Sequence, residues 1–94
     1  MPHPLPDDAI ARKLAAVPGW AREGQEIVRT FDCGNFNGSI AFVNAIAAAA
    51  NAADHHPDIA VSWNDVTVRL SSHDAHGLTE RDFALAQTID ALAR

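Results

Sequence analysis

Several features that mark particular classes of protein are missing from this sequence of 94 residues. Cysteine occurs once, at Cys33, so an intrachain disulfide is excluded. The sequence shows no secretory signal pattern and no apolar run of about 18 residues, so we expect a cytoplasmic protein without membrane association. The 7 Lys and Arg residues are outnumbered by 12 Asp and Glu, which gives a formal net charge of −5. This balance argues against nucleic-acid binding and against a polybasic membrane-binding surface.

The length of the chain predicts one domain over residues 1–94. Three prolines within residues 1–6 predict a flexible tail, and His3 within it has no expected role. A domain of this size buries roughly 60–65% of the surface that its unfolded chain exposes. Its core is therefore thin, and oligomerisation is an expected source of additional stability.

Apolar residues at helical spacing predict three helices, over residues 7–16, 36–53 and 80–93. Pro18-Gly19 follows the first helix and is expected to end the helical segment. Either Asn35 or Asn37 is suited to cap the second helix. Thr79 and Asp82 form a capping box for the third, with Asp in place of the usual Glu.

Alternating apolar residues predict two β-hairpins between the helices. The first joins residues 20–23 and 26–32 through Gly24-Gln25. The second has Asn64-Asp65 as its two-residue loop, which sets the predicted register. The expected cross-strand pairs are Trp63–Val66, Val61–Val68 and Ile59–Leu70, with Trp63 in the core, and His56–His73 at the open end. The predicted fold class is therefore α+β, an antiparallel four-stranded sheet with helices on one face and the order α-β-β-α-β-β-α.

The most unusual segment is Asp54-His55-His56-Pro57, which follows an alanine-rich helix. Adjacent histidines point in different directions in either a helix or a strand, so packing alone explains the pair poorly. Four of the five histidines lie between positions 55 and 76. Any histidine chemistry is therefore concentrated in this half of the chain.

Three interpretations of the histidines remain open on pattern alone. Zinc binding has enough nitrogen ligands, but Cys-x2-Cys and helical His-x3-His spacings are absent. Surface or interface histidines without chemistry are a second interpretation, which we favour for His76. The third is general acid–base catalysis, because imidazole gives or accepts a proton near neutral pH. The sequence shows neither a serine nucleophile signature nor a phosphate-binding glycine loop, so a small organic substrate that gains or loses water is the simplest candidate.

The spacing of these residues resembles the pterin-4a-carbinolamine dehydratase family. That family has His-His-Pro, then an aromatic residue, then a histidine ten residues later and an aspartate nine residues after that. His55-His56-Pro57, Trp63, His73 and Asp82 keep this spacing. The segments Ser71–Asp74 and Gly77–Asp82 and the order of elements are also similar to the family, so the resemblance covers nearly the whole chain.

The resemblance implies a lyase that removes water from 4a-hydroxytetrahydropterin and gives quinonoid dihydropterin, without a cofactor or a metal. The implied catalytic residues are His55, His56, His73 and Asp82. The residues implied to line the pterin site are Asp54, His55, His56, Ser71, Ser72, His73 and Asp74. The resemblance also implies a homodimer or homotetramer and a link to tetrahydropterin recycling after aromatic amino acid hydroxylases.

One position departs from the family pattern. The residue four positions before the first histidine is usually charged in that family, and here it is Asn51. An amide keeps hydrogen-bonding capacity but stabilises a cation less well than a carboxylate. A non-catalytic binding or assembly module with the same fold is therefore the alternative prediction.

Overall fold

The computed structural model describes residues 3–93. Within them, three α-helices and four strands follow the order α-β-β-α-β-β-α. Their bounds are α1 Asp7–Ala15, β1 Ala21–Glu23, β2 Glu26–Asp32, α2 Phe36–Ala53, β3 Asp58–Ser62, β4 Asp65–Leu70 and α3 Glu80–Leu92, with a short 3₁₀ helix at His73–Ala75. The strands form one antiparallel sheet in the order β1-β2-β4-β3. The predicted α+β class and element order are confirmed.

The hydrophobic core lies between one face of this sheet and the helices. Alternate residues of β2 and β4 reach the core because successive side chains of a strand point to opposite faces. The main contributors from the strands are Ile27, Phe31, Val66, Val68 and Leu70, and those from the helices include Ile10, Phe42, Ile46, Phe83 and Ile89. The other face carries polar pairs such as Thr30 with Thr67 and Arg69 with Glu23. The helices therefore cover one face only.

The register of the second hairpin differs from the prediction. Ile59 pairs with Val68 and Val61 pairs with Val66, so the turn is formed by Trp63 and Asn64. Each partner is displaced by two positions, which leaves the apolar side chains on the same face. The predicted pairing of His56 with His73 is wrong, because β3 starts at Asp58 and β4 ends at Leu70.

Hydrogen bonds from outside the hairpin explain the position of this turn. The Ser39 hydroxyl donates to the carbonyl oxygen of Trp63 over 2.6 Å, and the Cys33 amide donates to that of Asn64 over 2.7 Å. These bonds stabilise the turn although Trp63 has a φ of +50°, a conformation that favours glycine. The prediction that Trp63 lies in the core is also wrong, since the turn leaves the residue 67% exposed.

The end of α2 directs the chain into the histidine pair. The His55 amide donates to the carbonyl of Ala50, and the Asp54 amide donates to that of Asn51. This pair of bonds is the Schellman arrangement, in which the residue after the last helical turn takes a left-handed conformation. Asp54 occupies that position with a φ of +50° and is exposed. His55 is the next residue and is turned back towards the protein interior.

The N-terminal tail contacts the body of the domain where it is described. The Leu5 amide donates to the carbonyl of Leu78 over 2.7 Å, and the Leu5 side chain packs against the core. Residues 1 and 2, which belong to the predicted flexible tail, lie outside the described residues. Within residues 3–93, none of the helices combines the length and the apolar character needed to cross a lipid bilayer.

Gly38 is required near the start of α2 by a close backbone approach. A Cβ atom at this position would lie 2.1 Å from the carbonyl oxygen of Cys33. We expect Gly38→Ala to destabilise the protein by about 1–3 kcal/mol, typical of overpacking. Urea unfolding measures this, with Asn37→Ala at the exposed neighbouring position expected to change stability by less than about 0.5 kcal/mol. Stabilisation of Gly38→Ala, as helix propensity alone predicts, would contradict the close approach.

Asp54→Gly is expected to stabilise the protein by about 0.5–1 kcal/mol, because glycine adopts left-handed angles without steric cost. Ala53→Gly, one residue earlier and inside the helix, is the matched control with the opposite sign. It should destabilise by about 1 kcal/mol. Thermal unfolding of both variants checks the pair, and equal destabilisation by both would show that the left-handed turn does not form.

Candidate active site

The site is built around the carboxylate of Asp82, which is completely buried at the start of α3. Its Oδ2 atom accepts a hydrogen bond from the Thr79 amide over 2.9 Å and one from the Ser72 hydroxyl over 2.8 Å. The Thr79 side chain accepts from the Arg81 amide, which completes the capping box that the sequence predicts. A buried carboxylate requires such donors, since its desolvation would otherwise be unfavourable.

The remaining oxygen of Asp82 holds the first histidine of the pair. Oδ1 lies 2.6 Å from Nε2 of His55, and the His55 side chain is only 9% exposed. A carboxylate has only acceptors, so Nε2 carries the proton in this bond. The short distance and the burial are typical of a charge-assisted hydrogen bond. Asp82 thus fixes both the ring orientation and the tautomer of His55.

The other ring nitrogen of His55 is free for a ligand. Nδ1 makes no hydrogen bond within residues 3–93. No fully buried side-chain nitrogen or oxygen among those residues lacks a partner, so Nδ1 reaches the surface. In the neutral ring this nitrogen accepts a proton, and in the imidazolium it donates one. The geometry is therefore compatible with either acid or base chemistry at Nδ1.

A compact loop carries the third histidine beside this network. Ser72 and Gly77 exchange backbone hydrogen bonds of 3.0 and 3.3 Å, which close the loop around the 3₁₀ helix. His73 begins that helix and is exposed, and His76 ends it with a left-handed φ of +57°. Because Ser72 contacts Asp82 and Asp82 contacts His55, the chain segments that carry His73 and His55 lie close together.

His56 occupies a different environment from His55. Its Nε2 lies 3.1 Å from the amide oxygen of Asn51, one turn back on α2, and both side chains are exposed. Adjacent histidines thus serve different partners, one buried and one at the surface. Asn51 is the position that departs from the expected charged residue, and the amide is used to hold His56.

Three other residues predicted to line the site lie in or next to the loop that carries His73. Asp74 is exposed and forms a 2.6 Å ion pair with Arg81, and this hydrogen bond holds the pKa of Asp74 below its ordinary value. The Ser71 hydroxyl donates to the backbone carbonyl of Gln25 in the first hairpin turn. Ser72 is buried, with its hydroxyl bonded to Asp82 and Thr79.

A shallow apolar cleft lies next to His55, between the end of α2 and the start of α3. Its volume is about 420 Å³, within the range of roughly 300–1,000 Å³ for small-molecule sites. The lining consists of Ala49, Ala52, Ala53, His55, Arg81, Ala84, Leu85 and Thr88. Neither His56 nor His73 is part of this lining, so of the three candidate histidines only His55 borders the cleft. Alanine side chains leave the space open because they are short.

Two other types of chemistry find little support in the described residues. No group of three or more His, Cys, Asp and Glu side chains within residues 3–93 is arranged to hold a metal ion. Cys33 lies near the start of α2, far along the helix from His55, and burial raises the pKa of its thiol. A raised pKa disfavours the reactive thiolate.

Sequence reasoning missed two contacts of the site. The hydrogen bonds of Ser72 join the loop to α3 and could not be inferred, because they connect side chains of different segments that meet only in the tertiary structure. The Asn51–His56 contact could have been suspected from spacing, since Asn51 lies one turn from the end of α2. The pairing of Asp82 with His55, rather than with another histidine, required the fold.

Comparison with known proteins agrees with the fold and the motif. The sequence profile of the family "Pterin 4 alpha carbinolamine dehydratase" matches residues 3–92. A relative from Chloroflexus aurantiacus is 52% identical over 88 residues, with 94% of this chain and 95% of that protein covered. One from Nocardia farcinica is 50% identical over 90 residues, with 96% and 95% covered. Both carry the provisional name pterin-4-alpha-carbinolamine dehydratase.

Solved structures that are similar to this chain also include a pterin dehydratase and a pterin dehydratase-like protein. The crystal structure of a protein from Brucella melitensis, described as a transcriptional coactivator/pterin dehydratase, is 30% identical. It superposes with a TM-score of 0.93 over 98% of this chain and all of that one. A pterin dehydratase-like protein described as a RuBisCO assembly factor in the alpha-carboxysome is 27% identical, with a TM-score of 0.69 over 80% of this chain and 89% of that one. This chain belongs to the pterin 4 alpha carbinolamine dehydratase family.

Proposed function

We propose that the protein is a hydro-lyase that dehydrates 4a-hydroxytetrahydropterin to quinonoid dihydropterin by histidine acid–base catalysis. Family membership supports the pterin substrate class. The observation that carries the catalytic proposal is the buried Asp82–His55 pair, with Nε2 and Oδ1 2.6 Å apart and Nδ1 left accessible. A histidine held in one tautomer by a buried carboxylate is the arrangement that enzymes use to move protons.

The reaction needs two proton transfers and no redox change. The bond between C4a and the hydroxyl oxygen breaks, and the leaving hydroxyl takes a proton from an acid to become water. A base removes a proton from the ring nitrogen beside C4a, and the electron pair forms the new carbon–nitrogen double bond. An acid and a base on either side of the ring therefore suffice, and a metal or a cofactor is not required.

We assign these transfers to His55 and His73. His55 acts through Nδ1, and Asp82 offsets the charge of its ring when that ring is protonated. His73 is exposed on the adjacent loop and exchanges protons with solvent between turnovers. His56, held by Asn51, binds and positions the pterin, with Asp54, Ser71 and Asp74 at the edges of the site.

The cleft beside His55 is mostly apolar, so polar contacts with the pterin come mainly from the neighbouring loops that carry His56, His73 and Asp74. Asp74 is ionised at neutral pH, and the hydrogen bond from Arg81 holds its pKa further below the ordinary value. An ionised carboxylate accepts hydrogen bonds from the amino-pyrimidine part of a pterin, which carries several N–H donors. We therefore place the donor-rich end of the ring towards the loop of Asp74.

The direct test follows the loss of water from freshly formed 4a-hydroxytetrahydropterin by its absorbance change. Wild-type protein should accelerate the reaction, and His55→Ala or His73→Ala should reduce kcat by about 100- to 10,000-fold, the usual contribution of a general acid or base. His3→Ala in the N-terminal segment is the matched control and should keep the wild-type rate. A wild-type rate equal to that of buffer would exclude the dehydratase function.

A non-catalytic assembly function is the second candidate. It is favoured by one observation, the similarity to a pterin dehydratase-like RuBisCO assembly factor. The two candidates predict different responses to His55→Ala, since an assembly surface does not require an acid or a base. The presence of His55, His56 and His73 in this chain favours the enzyme.

We also propose that the protein forms a homodimer or homotetramer in the cytoplasm, in the pathway that recycles tetrahydropterin after aromatic amino acid hydroxylation. Exposed apolar side chains support self-association: Phe36 is 51% and Trp63 is 67% exposed. Ser39, on the same helix as Phe36, bonds the backbone of Trp63, which brings these residues to one end of the molecule. The edge strand β3 adjoins this end through Val61, which is 39% exposed.

Light scattering coupled to gel filtration should give at least twice the 10.0 kDa mass of the chain. Trp63→Ser should shift the equilibrium towards the monomer, because apolar area at the interface is lost. The exposed Thr88→Ser serves as the control on a different face. A monomer mass for the wild type at micromolar concentration would contradict self-association.

A further inference from the structure

Ser72 stands out among the residues expected to line the pterin site because its side chain does not face solvent. It is 1% exposed, and its hydroxyl lies 2.8 Å from both Thr79 Oγ1 and Asp82 Oδ2. The next residue, His73, is exposed at the surface. These two adjacent residues of the loop therefore point in different directions, with Ser72 towards the protein interior and His73 towards the site.

The direction of these hydrogen bonds follows from the available protons. A carboxylate can only accept, so the single proton of the Ser72 hydroxyl goes to Asp82. The oxygen of Ser72 then accepts the proton of the Thr79 hydroxyl, whose own oxygen accepts from the Arg81 amide. The chain of donors therefore runs from α3 through Thr79 and Ser72 to the carboxylate.

The two carboxylate oxygens of Asp82 have different hydrogen-bond partners. Oδ2 of Asp82 is held by two donors, the Ser72 hydroxyl and the Thr79 amide. Oδ1 is left for Nε2 of His55. With two donors on one oxygen the carboxylate cannot rotate about its terminal bond without breaking both. The plane of the carboxylate is thus fixed, and so is the direction from which His55 is held.

We propose that Ser72 is a positioning residue for His55, acting through Asp82 rather than by contact with the pterin. The expected effect of Ser72 on the rate rests on the proposed function. The expected effect of Ser72 on the His55 hydrogen bond does not. The Ser72 hydroxyl has one proton, and that proton is used inside the protein, so contacts of this loop with the substrate are left to exposed residues such as His73 and Asp74.

Ser72→Ala tests the proposal by separating kcat from KM. Loss of one of the two donors lets the carboxylate and the ring move, and misplacement of a reacting group by about 1 Å can reduce a rate 100-fold. We expect kcat to fall by about 10- to 100-fold while KM changes by less than about threefold. Ser72→Thr keeps the hydroxyl and should recover most of the lost kcat.

Ser39→Ala is the matched control. Ser39 is also a fully buried serine whose hydroxyl donates to the protein, but it lies near the opposite end of α2. It should lower the melting temperature without lowering kcat. If Ser72→Ala does not fold, Ser72→Cys gives the same test, because a thiol of similar size is a weaker donor. An unchanged kcat in the folded variant, or a raised KM at constant kcat, would overturn the proposal.

Proton NMR provides a readout that is independent of pterin turnover. The Nε2 proton of His55 should give a downfield resonance that exchanges slowly with water, identified by its absence in His55→Ala. In Ser72→Ala this proton should exchange at least about tenfold faster, and in Ser39→Ala it should not. If the wild type is inactive but this difference is seen, the proposed function fails and the positioning role of Ser72 stands. If the wild type is active and the exchange rates are equal, the positioning role fails and the function stands.

Discussion

The buried carboxylate of Asp82 is the constraint on which this structure depends. It caps α3, closes the loop of Ser72 onto that helix and holds His55, so three separate segments meet at one group. Of the five buried polar or charged side chains in residues 3–93, four belong to this network: His55, Ser72, Thr79 and Asp82. A buried carboxylate without partners would cost several kcal/mol, and here each oxygen is occupied. Fold and site are therefore coupled, and a change at Asp82 itself cannot separate the two.

The loops of the site carry exposed histidines, His56 after α2 and His73 after β4, next to residues with an unusual backbone conformation. Three non-glycine residues of the described chain have positive φ, and two of them, Asp54 and His76, flank the site loops. Such conformations persist where surrounding contacts fix them, and they are frequent at functional sites. At Asp54 the helix-ending hydrogen bonds turn His55 inwards while His56 remains at the surface. This explains how two adjacent histidines have different environments and different hydrogen-bond partners.

Much of the fold could be predicted from the sequence, because helices and capping depend on local residues. The bounds of α2 and β2 and the capping box of Thr79 and Asp82 are as predicted, since periodicity and short polar side chains act within one or two turns. The hairpin register was predicted wrongly, because Ser39 and Cys33 are distant in sequence but donate hydrogen bonds to the carbonyls of the turn. The same long-range dependence applies to the site. The motif located His55, His73 and Asp82, but the contact between Asp82 and His55 follows from tertiary structure.

We propose that His55 presents Nδ1 to the pterin while Asp82 holds Nε2 of the same ring. It is tested most directly by titrating the protein with an unreactive dihydropterin while recording the ring resonances of all histidines. We expect saturable shifts at His55, His56 and His73, with the Nε2 proton of His55 retained in its bond to Asp82. Shifts confined to His3 and His76, or loss of the Nε2 proton on binding, would contradict it.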